Sequence, residues 1–235
     1  LSYRALQRGW RFLYIAEVEV PGEVPPQVQA YKRQQARWAT GSTACLFRHA
    51  RPLVRSVYFS PFKRFMGVMH LSQYAIQPVI LLLFLLTPVL MATGSFAHLP
   101  DLRLLAAIGV IPPLVIALAQ VELYTDWYRR LLYFPVQFMV AAAIVLNNTL
   151  AVFKAVFRRG EHVFERTPKF SESHWRRSRY ALNVDKITIG ELLLGGYALL
   201  GVGLAWQHFP PLLPYMLSYA VSFIGFALWN IRQTR

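Results

Sequence analysis

The chain has 235 residues, is 55% hydrophobic, and sets 25 Lys and Arg against 11 Asp and Glu, a net charge of +14. Apolar runs such as VILLLFLLTPVLMA exceed what a small water-soluble core hides, so an ordinary soluble domain is excluded and a mainly α, polytopic membrane protein is expected. Basic residues of a membrane protein collect at its cytoplasmic face against anionic lipid, so the charge implies no nucleic-acid partner, and a lone cysteine, Cys45, excludes internal disulfides.

In chain order, the sequence opens on LSYRALQRG, a polar helix-like stretch with no initiating Met, and reads as a piece of something longer. WRFLYIAEVEV follows, with the aromatic and β-branched content of a strand, and then a Pro-Gly turn. A second helix is predicted to start after Pro25 and Pro26 and run through QVQAYKRQQARWATGSTACLFRHA, since Pro is accepted in a first helical turn. Residues 51–66 mix Arg55, Lys63 and Arg64 with Leu53, Val57, Tyr58, Phe62 and Phe65, as suits an amphipathic helix in the headgroup layer.

Five apolar segments come next, at 67–92, 102–123, 134–157, 187–207 and 210–231. If 134–157 lies at the interface and the other four cross, every basic residue except Arg103 falls on one side. Were it to cross, the basic stretch 158–186 would sit opposite, so the positive-inside rule selects four spans. Gln137, Asn147, Asn148 and Lys154 give segment 134–157 its own reason to avoid hydrocarbon, because an amide pair there is costly unless it faces protein or the interface. The spans then form hairpins at 67–123 and 187–231, with GSFAHLPD and HFPPLLP as outer turns. Gly195, Gly196, Gly201 and Gly203 permit close helix contact in the second hairpin.

The chemistry concentrates in Gln34-Gln35-Ala36-Arg37-Trp38, a Gln-x-x-Arg-Trp pattern whose three named residues share one helical face. A guanidinium grips a diphosphate in bidentate fashion, Gln adds a neutral donor and acceptor, and indole offers a flat apolar face to a pyranose. The plain alternative is an amphipathic helix whose Arg and Trp touch lipid headgroups. In the first span His70, Gln73, Tyr74 and Gln77 fall at helical spacing, either lining a glycan path or bonding between packed helices. His174 and Trp175 read as headgroup contacts, and Glu17, Glu19 and Glu23 as surface or structural carboxylates rather than a catalytic base. No zinc-type ligand spacing occurs.

With the stretch LSYRALQRGWRFLYIAEVEVPGEVPPQVQAYKRQQARWATGS before and around it, the motif resembles the C-terminal end of the GT-A type α/β catalytic domain of family 2 processive glycosyltransferases, the cellulose synthase and glucomannan synthase-like groups. Phe164-Glu165-Arg166-Thr167-Pro168-Lys169 resembles their gating loop, with Arg166 where cellulose synthase has Val. The resemblance covers essentially the whole chain and implies that residues 1–50 end the cytoplasmic catalytic domain and 158–186 form a gating-type loop. It assigns Gln34, Arg37, Trp38, Phe164, Thr167 and Lys169 to substrate binding. It further implies inverting transfer of a hexose from a nucleotide-sugar donor, UDP-glucose or GDP-mannose, onto a growing β-linked polysaccharide. The setting is the inner or plasma membrane, with the active site and C-terminus cytoplasmic. The Asp base and the ligands of a divalent cation, Mg or Mn, belong to the part of the family's chain that precedes Leu1, so this segment alone is expected to be inactive and to hold no metal. Two other readings stay open: a non-processive lipid glucosyltransferase with a lipid acceptor, and a transporter or channel segment without catalysis.

Overall fold

The computed structural model describes residues 2–15, 17–22, 24–98, 109–157 and 183–234. The chain divides into two compact units, one of residues 1–82, 145–187 and 229–235, the other of residues 83–144 and 188–228. The regular structure among the described residues is all helical.

The strand expected in WRFLYIAEVEV is not formed; its described residues are irregular, and Trp10, Phe12, Leu13, Tyr14 and Val20 are exposed. A strand needs a neighbour for its backbone N–H and C=O groups, and no strand is present among the described residues to supply one. The GT-A sheet is therefore not seen among the described residues.

The first unit is built around α2 (Val28–Arg55), preceded by the single turn α1 (Ser2–Leu6). Pro25 and Pro26 fall just outside α2 instead of in its first turn. Its N-cap, Gln27, is extended and makes no side-chain cap; the free Val28 N–H donates to Gln233 Oε1 at 2.7 Å, so a distant residue closes the helix end. Residues 51–66 are not one helix: α2 carries Pro52 in its last turns and stops at Arg55, and α3 (Pro61–Ser72) starts afresh. Ser60 caps α3 by accepting from Lys63 N–H, with Pro61 at the first position. Gly67 lets α3 lie close on α2, since a Cβ there would stand 2.9 Å from Leu53 Cδ2. A 3₁₀ turn (Gln73–Ala75) joins α3 to α4 (Ile76–Ala92), and Pro61–Ala92 together make a 32-residue apolar helix.

Segment 134–157 forms two helices, α7 (Phe134–Ala143) and α8 (Val145–Phe157), bent by 43° at their junction. The preceding α5 (Ile111–Leu123) and α6 (Trp127–Leu131) are short. α8 packs on α2 through Ala36, Ala39, Ala151, Val152 and Val156, with Tyr74 against the same cluster. Asn147 and Asn148 are buried there, and Asn147 Nδ2 donates to Lys32 O at 3.0 Å and to Asn148 Oδ1 at 3.1 Å. The amide pair thus faces protein, as its cost in hydrocarbon requires.

The second unit centres on Phe84 of α4, whose ring lies 4.7 Å from Tyr219 and 5.5 Å from Phe223. Both partners belong to α10 (Leu213–Thr234), which follows α9 (Lys186–His208) and a 3₁₀ turn at Pro210–Leu212. Of the four glycines expected at helix contacts, two are so used: a Cβ on Gly195 would meet Ile224 at 2.5 Å, and one on Gly201 would run into Met216. Gly196 and Gly203 face open space. The turns around Ser95 and Phe209 come together, Phe96 stacking on Phe209 at 5.2 Å.

Among the described residues three helices are long and apolar enough to cross a membrane, Pro61–Ala92, Lys186–His208 and Pro210–Thr234. The bent pair Trp127–Ala143 and Val145–Phe157 makes a fourth if it counts as one span. The expected crossing at 102–123 is represented among the described residues by the 13-residue α5, which by itself is too short.

Candidate functional site

Gln34, Arg37 and Trp38 sit in the middle of α2, where no Pro or cap interrupts the helix. Gln34 and Arg37 are half-buried, and Trp38 leaves 50% of its surface open, enough for an indole face to receive a ligand. Within the motif, Gln35 Oε1 accepts from Tyr74 OH at 3.4 Å, a long contact that ties the motif helix to the 3₁₀ turn. Burial pushes the Tyr31 phenol above its ordinary value, so that group stays neutral beside the motif.

The four polar residues of the first apolar segment do not act alike, because the 3₁₀ turn resets the helical register between them. His70 is held by α1, its Nδ1 2.8 Å from Tyr3 OH. Gln73 is exposed, Tyr74 faces Gln35, and Gln77 buries its side-chain oxygen with no hydrogen-bond partner among the described residues. Phe164, Thr167 and Lys169 lie in 158–182, outside the described residues.

Behind the motif runs a polar network that the sequence reading missed. Lys32, with its side chain fully buried, places Nζ 3.1 Å from Asp185 Oδ1, and Gln29 Nε2 donates to Asp185 Oδ2 at 2.9 Å. Asn230 Nδ2 donates to Gln29 Oε1 at 3.0 Å. A Lys flanked by Tyr31 and Arg33 carries no local sign of burial, and its partner stands 153 positions away.

Among the described residues no group of three or more His, Cys, Asp or Glu is gathered, so the donor set on hand does not fit the divalent cation expected of the intact enzyme.

The fold and the motif helix define a class first: a helical protein with several membrane-length helices and an Arg- and Trp-bearing helix that is not among them. Its family follows from the match of residues 1–146 to the description "Glycosyl transferase family group 2"; the chain belongs to that family. It is similar to glucomannan 4-beta-mannosyltransferase 7 of Arabidopsis thaliana, 36% identical over 121 residues, covering 46% of this chain and 22% of that protein. It is also similar to probable glucomannan 4-beta-mannosyltransferase 2 of Oryza sativa subsp. japonica, 31% identical over 86 residues, covering 36% of this chain and 15% of the relative. The chain thus spans about a fifth or less of the length of these curated relatives. No solved structure matches.

Proposed function

We propose that the protein carrying this chain is a membrane glycosyltransferase that moves a hexose, with inversion, from a nucleoside diphosphate sugar to a growing β-linked polysaccharide. One observation carries the reading: in a chain of glycosyl transferase family group 2, Gln34, Arg37 and half-exposed Trp38 stand together on one uninterrupted helix. Arg37 grips the donor diphosphate through its planar fork, Gln34 adds a neutral hydrogen bond, and Trp38 stacks on the terminal acceptor sugar. Phe164, Thr167 and Lys169 join them, on the strength of the sequence resemblance, when donor is bound. The base and the cation belong to other parts of the enzyme, and the cation's chemistry is to neutralise the leaving diphosphate. The relatives named as mannosyltransferases favour a glycan acceptor over a single lipid.

The test uses membranes containing the intact protein, supplied separately with labelled UDP-glucose and GDP-mannose. Trp38→Ala and Arg37→Ala are each expected to reduce incorporation by about 100-fold at unchanged protein level, the size typical for loss of a positioning or charge-stabilising group. Unchanged incorporation in both variants would sink the reading. A water-insoluble product supports the polymer; a single-sugar glycolipid would replace the polymer by a lipid acceptor.

A further inference from the structure

Lys32 stands on the same helix as the motif but on its far side. At 3.6 residues per turn, Gln34, Arg37 and Trp38 lie roughly 140–240° around α2 from Lys32. Gln29, Ala39 and Thr43, all buried, cluster on the Lys32 side. The motif is therefore held from behind, and what holds it is polar. Lys32 and Gln29 both bond Asp185, the residue just before α9, and Gln29 also accepts from Asn230 in the last turns of α10. Gln233, from that same helix end, caps α2 at Val28 N–H.

An apolar contact tolerates rotation and sliding of a helix, whereas a network with fixed donors and acceptors has one satisfied arrangement. Breaking that arrangement would leave a charge buried without its partner. We propose that Lys32 and Asp185, with Gln29 and Asn230, are positioning residues that set the rotation of α2 and thereby aim Gln34, Arg37 and Trp38 at the donor and acceptor. The inference rests on the proposed function, and the experiment separates the two.

Donor KM and kcat are measured in membranes containing the intact protein, per amount of folded protein, for Lys32→Met, Asp185→Leu and the double variant Lys32→Met with Asp185→Leu. Lys32→Met removes the ammonium that faces the Asp185 carboxylate, Asp185→Leu leaves that ammonium buried without this carboxylate, and each is expected to lower the folded amount. The double change removes both charges and is expected to recover most of the folded amount and thermal stability, because an apolar pair replaces the partly buried ion pair and only the Gln29 amide loses an acceptor. It is not expected to restore aim: donor KM stays raised by about tenfold, as for any displaced binding group. Wild-type KM and kcat in the double variant would overturn the proposal and make the pair purely structural. So would a lost folded amount in the double variant accompanied by unchanged KM in the folded remainder. Trp38→Ala serves as the control: if it too leaves transfer untouched, the functional reading fails, and if it abolishes transfer while the double variant is normal, only the positioning role fails.

Discussion

A guanidinium and an ammonium carry the same charge but not the same geometry, and at position 37 the difference is decisive for the proposed chemistry. Arg presents parallel N–H groups that match two phosphate oxygens at once; Lys presents a point charge on a flexible stem. Arg37→Lys should keep the protein level and the charge yet raise donor KM by about tenfold, the loss of one charge-assisted hydrogen bond. A steady-state titration of donor checks this, and an unaltered KM would mean that Arg37 makes no bidentate contact. At this scale the sequence was legible where partners are local. Gln34, Arg37 and Trp38 could be read from three- and four-residue spacing, which a helix turns into one face. Lys32 could not, because its burial depends on Asp185, and the Gln29 contact beside it depends on Asn230, 201 positions on.

Helices within the hydrocarbon gain little from hydrophobic burial against one another, so close packing decides their contacts. Residue size alone flagged Gly195, Gly196, Gly201 and Gly203 alike, but only Gly195 and Gly201 stand close to a neighbouring helix. Gly201→Leu should therefore drive a side chain into Met216 and Pro88 and destabilise the protein by about 1–3 kcal/mol, while Gly203→Leu, facing open space, should leave the melting temperature in detergent unchanged. Equal shifts in both variants would show that the α9 face is assigned wrongly. The boundaries of Lys186–His208 and Pro210–Thr234 were readable from apolar length and the prolines between them. The break between α7 and α8 was not, since no Pro or Gly marks Ile144. The strand expectation failed for the complementary reason: composition favours extended backbone, but pairing needs a second strand that composition cannot supply.

Three helices of spanning length would put the two chain ends on opposite sides of the bilayer, whereas the basic residues near both ends favour one side. A fourth crossing restores the balance, and there are two ways to obtain it: the segment containing α5, or the bent pair α6 to α8. Both place the start of α9 and the end of α10 on the side of α2. They differ in the short stretch between α5 and α7, where Arg130 stacks 3.6 Å over Tyr124 and its Nε lies 2.9 Å from Asp126 Oδ1. If the bent pair crosses, Arg129 and Arg130 lie on the far side. If the α5 segment crosses, they stay on the side of α2. The buried bond from Asn147 to Lys32 O favours a crossing by the α5 segment, because it holds α8 against the polar motif helix instead of lipid. In a background with Cys45→Ser and no other accessible thiol, Tyr128→Cys should react with a membrane-impermeant maleimide from the cytoplasmic side. Ser95→Cys, in the turn after α4, should react from the opposite side. Labelling of both from one side would hand the fourth crossing to the bent pair, leaving the motif helix with a membrane-spanning neighbour.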